Sequence, residues 1–411
     1  MKKNILITGP FLSRSGYGEM ARFALRALRS QSDKYEIFLH TLNWGQTGWL
    51  SDNDEERQYI DIKLKQTLLH QQNGGAYDLS IQTTIPNEWK KIAPINIGYT
   101  AGIETTHVAP EWLAAGNEMD KIITISKHSA EVHRDTIYDA KDNDGQIVED
   151  LVCKTPVEYI GFPVRNKGIE KIKLDLKTKF NFLCVAQAGP RKNVHSVIGS
   201  FIEEFKGDAD VGLIMKVNTA NNCTMDFYHT KAMLQGFIKS QQDSEDMKCK
   251  VYILHGALKD EEMNSLYTNP KIKTSISLTH GEGFGLPLFE AASHGQPVIA
   301  TGWSGHMDFL QLNGKDMFGN VKYDLAKVNP QSVWNGVIQA ESGWAYPNIE
   351  HAKRLMRDVY DNHRKWKTRA TKLKKHIVKN YTKDKMYAKF CKMVEETTAN
   401  ENSEPVGTIT V

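Results

Sequence analysis

The sequence has few cysteines, and none of them form a pattern that binds a metal or builds a disulfide framework. The five cysteines lie at positions 153, 184, 223, 249 and 391, an odd number without a Cys-x-x-Cys spacing. Scattered cysteines of this kind are typical of proteins in a reducing compartment. We therefore predict a cytoplasmic protein without a structural zinc site or disulfide bonds.

Long apolar runs and a surplus of charge are also absent. None of the 411 residues belong to an apolar run that approaches the ~20 residues of a membrane-spanning helix. The apolar run Asn4–Thr8 is short and leads into a glycine, so we interpret it as a strand and expect no signal peptide. With 52 basic and 49 acidic residues, the overall charge requires neither a nucleic acid nor a membrane as partner.

Two common nucleotide-binding motifs are missing. A dinucleotide oxidoreductase needs Gly-x-Gly-x-x-Gly after a strand, with an acid ~20 residues further on. Neither the loop from Gly9 to Gly16 nor the loop from Gly281 to Gly285 fits that spacing. The P-loop pattern Gly-x4-Gly-Lys-Ser/Thr does not occur. These absences argue against a dinucleotide oxidoreductase and against a P-loop kinase.

What is present is a repeated strand, glycine and helix pattern. The apolar run Asn4–Thr8 precedes Gly9, and the apolar run Phe180–Ala186 precedes Gly189. Further short apolar segments alternate with helical ones, as a doubly wound parallel sheet requires. We predict an α/β fold with Rossmann-like domains at 1–165 and 170–380. A C-terminal helix at about 384–398 is expected to pack back on the first domain, before a loose tail at 399–411.

The most informative stretch lies between Ser275 and Leu310. A strand pattern is followed by glycines at 281, 283 and 285 and by Pro287, where a helix can begin. Glycines let a backbone approach a ligand closely, and a helix start favours an anion, most often phosphate. Glu282 lies in this loop and Glu290 in the predicted first helical turn, and a carboxylate accepts hydrogen bonds from two neighbouring sugar hydroxyls. The pattern therefore predicts a nucleotide-sugar as ligand.

The run from Glu282 to Glu290, followed by Gly295, Pro297 and Ser304-Gly305, resembles the Glu-x7-Glu motif of retaining glycosyltransferases of family four. The resemblance implies the GT-B fold, in which two Rossmann-like domains face each other across a cleft. It also implies transfer of a hexosyl or pentosyl group to an acceptor hydroxyl with retention of anomeric configuration. The expected donor is a UDP-sugar, which is a substrate, so no cofactor is predicted.

Candidate site residues are indicated by the family resemblance and by their positions directly after predicted strands. The predicted catalytic residues are Glu282, which is expected to touch the transferred sugar, Lys192 and Arg191 for the leaving diphosphate, and Glu104 and His107 on the acceptor side. The predicted donor-binding residues are Gly16, Tyr17, Gly18, Gln187, Lys192, Gly256, Leu258, Gly283, Phe284, Gly285, Leu286 and Glu290. Gln187 stands where the family most often has an arginine, so the second cation is either Arg191 or missing.

A metal site is not predicted. Asp208-Ala-Asp210 has the spacing of a metal-binding Asp-x-Asp, but it precedes a predicted strand, at the edge away from where α/β sheets bind ligands. We interpret this pair as a solvated turn.

The acceptor is predicted from two further features. The segments SRSGYGEMAR and NWGQTGW resemble parts of phage-encoded glycosyltransferases, some of which modify hydroxymethylated bases in DNA. The stretch from Arg364 to Lys385 is rich in lysine, which would suit phosphate contacts or a solvated surface helix. A hydroxymethylated base in phage DNA is the leading prediction, with action in the host cytoplasm. The alternatives are a saccharide acceptor of a bacterial surface pathway and a noncatalytic protein that binds sugar nucleotides.

Overall fold

The computed structural model of the protein describes residues 2–141, 147–165, 167–241 and 246–399, so the predicted tail lies almost entirely outside the described residues. The strands of the first half are β1 (Lys3–Gly9), β2 (Tyr35–Thr41), β3 (Leu79–Gln82), β4 (Ile95–Tyr99), β5 (Lys121–Thr124), β6 (Tyr138–Lys141), β7 (Ile147–Leu151) and β8 (Val157–Tyr159). Its helices are α1 (Gly16–Arg29), α2 (Glu55–Gln72), α3 (Pro110–Gly116) and α4 (Lys127–Asp135).

Six of these strands form a parallel sheet in the order β2-β1-β3-β4-β5-β8, and β6 and β7 form a separate antiparallel hairpin. The central strands are buried on both faces. One face is apolar, with Ile5, Ile7, Ile81 and Ile97 fully buried, and the other carries buried polar side chains such as Ser80. Burial of both faces is typical of parallel sheets that are covered by helices on each side.

The second half continues the same architecture. Its strands are β9 (Phe180–Gln187), β10 (Val211–Asn218), β11 (Lys250–Leu254), β12 (Ile272–Ser277), β13 (Val298–Thr301), β14 (Gln311–Leu312), β15 (Lys315–Asp316), β16 (Gly319–Val321), β17 (Tyr323–Lys327) and β18 (Gly343–Pro347). Its helices are α5 (Val194–Phe205), α6 (Thr224–Ser240), α7 (Asp260–Thr268), α8 (Leu286–Ser293), α9 (Met307–Leu310), α10 (Ile349–Asp361), α11 (His363–Asn380) and α12 (Lys383–Ala399).

The second parallel sheet has the order β11-β10-β9-β12-β13-β16. This is the doubly wound order in which the chain starts in the middle, winds outward on one side and then continues on the other. Because β9 and β12 are neighbours, the loops after these two strands lie side by side. In open α/β sheets this crevice, at the carboxyl ends of the strands, is where ligands bind.

One region departs from its local sequence pattern. The residues from about 332 to 381 carry a largely helical pattern, but β18 lies among them and pairs with β17, and α10 begins only at Ile349. The reason is tertiary packing: Trp344 of β18 is buried and stacks on His280, with ring centroids 5.2 Å apart. Such packing overrides local propensity.

The two halves share one apolar core. Helix α12 packs against α1 of the first half, where Phe390 meets Phe23 at a ring-centroid distance of 5.4 Å. Between the halves, the ring of Phe162 packs on Phe284 at 5.3 Å. The cleft between the sheets is therefore closed at one side by packed aromatic rings. No helix in the described ranges is both long and apolar enough to cross a membrane.

Candidate active site

A buried ion pair lies at the centre of the crevice. Lys192 ends the short turn after β9, and Glu282 lies in the loop between β12 and α8. The Lys192 Nζ is 2.6 Å from Oε1 and 2.7 Å from Oε2 of Glu282. The adjacency of β9 and β12 brings these two side chains together, although they are far apart in sequence.

The charge on Glu282 is firmly held. Burial opposes ionisation of this carboxyl, but the neighbouring Lys192 and Arg191 outweigh it and lower the pKa of Glu282 to about 2. The backbone N–H of Glu282 also donates to the Ser304 hydroxyl at 2.8 Å, which fixes the loop. Glu282 is therefore a carboxylate at neutral pH, and an anion that binds Lys192 must compete with it.

Arg191 connects this pair to the first half of the chain. Its Nη2 lies 3.1 Å from Oε1 of Glu104, in the loop after β4, and its Nη1 donates to the Gly281 carbonyl at 2.6 Å. The same guanidinium lies 3.5 Å from Glu282. The structure thus brings Glu104, Arg191, Lys192 and Glu282 into one cluster, formed where the carboxyl ends of the two sheets meet.

The glycines of the loop allow the two halves to approach each other. A Cβ on Gly281 would lie 2.5 Å from the Glu104 carbonyl oxygen, and a Cβ on Gly283 would lie 3.0 Å from the Ala101 carbonyl oxygen. Gly285 caps α8 with a φ of +86°, a conformation that favours glycine. Sequence reasoning predicted these glycines for contact with a ligand, whereas in the structure two of them make room for backbone of the first half.

Glu290 lies in the second turn of α8, since the helix begins at Leu286 and its first turn contains no acid. The sequence pattern had suggested the first turn. Tyr267 donates to its Oε2 at 3.0 Å, and Arg165 Nη1 lies 3.8 Å from its Oε1. Burial raises the pKa of Glu290, and Arg165 opposes that effect. This carboxyl borders a small cavity that Arg165 and Leu286 also line.

The predicted aromatic and aliphatic donor contacts are mostly core residues. The Phe284 side chain is buried against Phe162, Phe289 and Phe309, so only its backbone can face a ligand. Leu258 is half-buried and packs against the same core.

Of the two predicted glycines in the first turn of α1, one is at an open position and one is closely packed. A Cβ on Gly16 would meet nothing within 4 Å, whereas a Cβ on Gly18 would lie 2.1 Å from the Ser13 carbonyl oxygen. Between them, the Tyr17 hydroxyl lies 2.7 Å from Oγ1 of Thr100 after β4, and its ring packs on Trp44 with centroids 4.3 Å apart. Gly16 is therefore the position where a ligand has room to approach.

Two further predicted donor residues lie at neighbouring strand ends. Gln187 ends β9 and is exposed, with its amide donating to the Thr219 carbonyl at 3.3 Å. Gly256 follows β11 with a φ of +106°, and its carbonyl accepts a hydrogen bond from Lys216 Nζ at 2.7 Å. Neither residue contacts the Glu282 cluster through a hydrogen bond in the described residues.

His107 is placed beside the cluster and not in it. Among the described residues its ring contacts Thr106, with Nδ1 2.9 Å from Oγ1, and Tyr138, at 6.5 Å between ring centroids. Neither of these residues is part of the Glu282 cluster.

Two histidines that sequence reasoning did not select lie nearer the crevice. His128 packs edge-on against Trp303 at 4.7 Å, its Nε2 is buried without a hydrogen-bond partner in the described ranges, and burial lowers its pKa to about 4. His306 is fully buried below the glycine loop, and its Nε2 lies 2.6 Å from the Thr301 carbonyl oxygen. His128 follows β5 as His107 follows β4, so strand-end reasoning applied to β5 would have found it.

The Asp-x-Asp pair lies before β10, as its sequence position predicts, and both acids form ion pairs. Asp208 lies 3.1 Å from Arg357, and Asp210 lies 2.9 Å from Lys179. The described residues contain no cluster of three histidine, cysteine or acidic side chains suited to a metal ion.

Known proteins resemble this chain in structure and not in sequence. No protein-family model matches the chain, and no curated protein matches it in sequence. Sucrose-phosphate synthase from Thermosynechococcus elongatus superposes over 97% of this chain and 100% of its own, with a TM-score of 0.64 and 11% identity.

Two further solved structures are similar over their whole length. HepE from Anabaena, solved with UDP-glucose, covers 96% of this chain and 100% of its own, with a TM-score of 0.57 and 14% identity. The UDP-forming α,α-trehalose-phosphate synthase from Burkholderia xenovorans covers 97% of this chain and 100% of its own, with a TM-score of 0.59 and 10% identity. These similarities confirm the predicted α/β architecture, two Rossmann-like halves in the GT-B arrangement.

Proposed function

We propose that the protein is a glycosyltransferase that moves a sugar from a nucleotide-sugar, a UDP-sugar in particular, to an acceptor hydroxyl. The observation that carries this proposal is the cluster of Glu104, Arg191, Lys192 and Glu282. It joins two cations and two carboxylates where the carboxyl ends of two parallel sheets meet. Cations at such a place suit a diphosphate, and carboxylates suit sugar hydroxyls.

The donor assignment has support from both motif and neighbours. The Glu-x7-Glu resemblance assigns Glu290 to the ribose and Glu282 to the transferred sugar. HepE was solved with UDP-glucose and the Burkholderia trehalose-phosphate synthase is described as UDP-forming, which favours UDP among the nucleotides. The open space beside Gly16 leaves room for the diphosphate on the side of the first half.

We further propose that the reaction retains anomeric configuration. In this scheme the bond between the anomeric carbon and the diphosphate oxygen breaks, and the acceptor oxygen bonds to the same face of the sugar. The acceptor proton passes to the departing phosphate oxygen. Lys192 and Arg191 stabilise the negative charge that develops on the diphosphate, which is the largest contribution expected of such a site. Glu104 and His107 belong to the acceptor side.

The proposed reaction class is tested by measuring turnover of nucleotide-sugars. The protein is incubated with UDP-glucose, UDP-galactose, UDP-N-acetylglucosamine, GDP-mannose and ADP-glucose, and release of the nucleoside diphosphate is measured with each acceptor class. We expect release of UDP, and NMR of the product should show the anomeric configuration of the donor. Binding of a sugar nucleotide without turnover on any acceptor would instead support the noncatalytic alternative. An inverted anomer would overturn the retaining mechanism alone.

For the acceptor, we propose a hydroxymethylated base in DNA, which places the enzyme in the cytoplasm, that of the host if a phage encodes it. The support is three exposed lysines on the side of α11 opposite its buried residues, at positions 372, 375 and 379. Lys367 of the same helix donates to the Gly295 carbonyl at 2.6 Å, at the end of α8 away from the glycine loop, and the side-chain carbons of the exposed Lys374 lie beside Gly295. The surface formed by these lysines therefore starts on the side of α8 that faces away from the glycine loop. For this reason a saccharide acceptor, which would enter the cleft directly, is the second candidate. Parallel assays with hydroxymethylcytosine DNA and with glycans separate the two.

A further inference from the structure

Lys216 lies near the carboxyl-terminal end of β10. This side chain is 8% exposed, and no carboxylate in the described parts of the chain lies within salt-bridge distance of it. Its one hydrogen-bond partner among the described residues is the Gly256 carbonyl, at 2.7 Å. A lysine in this state is unusual, because buried cations are normally paired with an acid.

The sheet register places Lys216 on the same sheet face as a small cavity beside Glu282. Lys216 pairs with Val185 of β9, and side chains alternate between the two faces of a sheet. Leu213, Met215 and Val217 belong to the core on one face, so Lys216 shares the other face with Ile214. Val185 lines a small cavity together with Glu282 and Gly285. Lys216 therefore lies one strand away from that cavity, on the same face.

The buried charge of Lys216 has no acidic partner among the described residues, so an anion would be a suitable ligand. The neutral Gln187 lies two residues beyond Val185 in β9, on the same face of the sheet, and pairs with Asn218 in the register. An ammonium has three donors, and the Gly256 carbonyl uses one of them. The other two have no partner among the described residues. A phosphate group would satisfy both and neutralise the buried charge.

We propose that Lys216 is a donor-binding residue that contacts the diphosphate of the nucleotide-sugar while it holds the Gly256 carbonyl. The inference rests on the proposed function, since it assigns a further contact within the same donor site. Lys216 would supply a third cation in addition to Lys192 and Arg191. It would do so near Gln187, which is neutral.

The test compares diphosphates with their nucleosides. Calorimetry measures binding of UDP, GDP and ADP, and of uridine, guanosine and adenosine, to the full chain and to Lys216→Met. For the diphosphate that the wild type binds, we expect the variant to bind about 10- to 100-fold more weakly, the loss of a hydrogen bond to a charged group. Affinity for the matching nucleoside should be unchanged. Lys216→Arg, which keeps the charge, should retain most of the diphosphate affinity.

A pH series and a control variant distinguish a direct contact between Lys216 and the diphosphate from a purely structural role of this lysine. Burial lowers the pKa of Lys216 to about 8, so diphosphate affinity of the wild type should fall as the pH rises through that value, and that of Lys216→Arg should not. Lys250→Met, an exposed lysine at the start of the neighbouring β11, should bind like the wild type. Equal weakening of diphosphate and nucleoside, or unchanged diphosphate binding in Lys216→Met, would overturn the role of Lys216. A wild type that binds no nucleoside diphosphate would overturn the proposed function and this inference together.

Discussion

Arg165 lies between two acids that belong to different halves of the chain: its Nη2 is 2.9 Å from Oε2 of Glu19, and its Nη1 is 3.8 Å from Oε1 of Glu290. Asp260 also contacts this guanidinium, at 3.1 Å. Glu290 is thus oriented by a residue of the segment that links the halves and by the Tyr267 hydroxyl. A carboxylate held this way loses little conformational freedom when it binds a pair of hydroxyls.

We expect substitutions of Glu290 and Glu282 to have different effects. Glu290→Gln should weaken UDP binding by roughly 1.5–3 kcal/mol, the contribution of a charged hydrogen-bond partner. Glu282→Gln should not weaken UDP, because it removes the carboxylate that competes for Lys192, but it should lower turnover. Calorimetry and initial rates measure the two effects. Glu55→Gln, at an exposed acid, is the control. Equal loss of UDP affinity in both variants would refute the division of roles.

The fold was predictable from the sequence because each half of the chain begins with a short apolar strand, followed by a glycine and a helix. The neighbouring positions of Lys192 and Glu282 also follow from strand order, since both residues stand after strands that are adjacent in the sheet. The contacts of Arg165 were not predictable. They depend on how the segment after β8 crosses between the halves, and no local pattern records that path.

The burial of individual side chains was also not predictable from the sequence. Lys216 lies near the end of an apolar strand, where a lysine normally reaches solvent, and only the packing around β10 shows that it is buried. Phe284 was selected for the backbone of the glycine loop, and the packing of its ring in the core between the halves is not recorded in the local sequence either. Both cases depend on tertiary contacts between segments that are distant in sequence.

The glycine loop gives a prediction about stability. Gly281→Ala should destabilise the protein, because its Cβ would lie 2.5 Å from the Glu104 carbonyl oxygen and neither backbone can easily move. Gly16→Ala should not lower the melting temperature, because its Cβ would meet no atom within 4 Å. It should weaken donor binding, because the Cβ would occupy the open space proposed for the diphosphate. Gly207→Ala, also at an open position, is the control for both. A Gly281→Ala variant as stable and active as the wild type would show that the halves do not meet closely here.

A contact between the halves predicts a pH dependence of stability. Asp308 of α9 accepts a hydrogen bond from the Lys127 N–H at the start of α4, at 2.8 Å, and burial raises its pKa to about 6. The folded protein then binds this proton more tightly than the unfolded chain, whose aspartate pKa is about 3.9. The resulting stabilisation is complete below about 3.9 and is lost as the pH rises through about 6.

Asp308→Asn removes this titration and keeps an acceptor for the Lys127 N–H. Its melting temperature relative to the wild type should therefore rise between about pH 5 and about pH 7. Asp33→Asn, at an exposed acid, should show no such trend. A constant difference between Asp308→Asn and the wild type across this range would contradict the assignment.

Catalysis is expected to be independent of metal ions. Lys192 and Arg191 are placed to neutralise the leaving diphosphate, and Asp208 and Asp210 are paired with Arg357 and Lys179. Turnover should survive EDTA at a concentration that removes Mg²⁺ and Mn²⁺. If EDTA abolishes turnover and Mn²⁺ restores it, the assay is repeated with Asp208→Asn and Asp210→Asn. A loss of the Mn²⁺ response in these variants would place a metal at that pair.

The proposed acceptor surface lies on α11. Its buried side is formed by Trp366, Ala370, Leu373 and Ile377, so the lysines at 372, 375 and 379 project from the opposite side of the helix. Each phosphate contact releases condensed counterions, so the loss of one contact should reduce the slope of log affinity against log salt by about one unit.

We therefore expect a variant with Lys372, Lys375 and Lys379 changed to serine to bind duplex DNA more weakly, with a slope lower by about three units. Hydrolysis of the donor should be unchanged, because these residues lie outside the Glu282 cluster. The control changes three exposed lysines elsewhere, Lys65, Lys90 and Lys315, to serine and carries the same net charge. If the control lowers the slope as much, the effect is one of overall charge. If the wild type shows no salt dependence, or the α11 variant binds as the wild type does, α11 is not the acceptor surface and a saccharide acceptor becomes the favoured substrate.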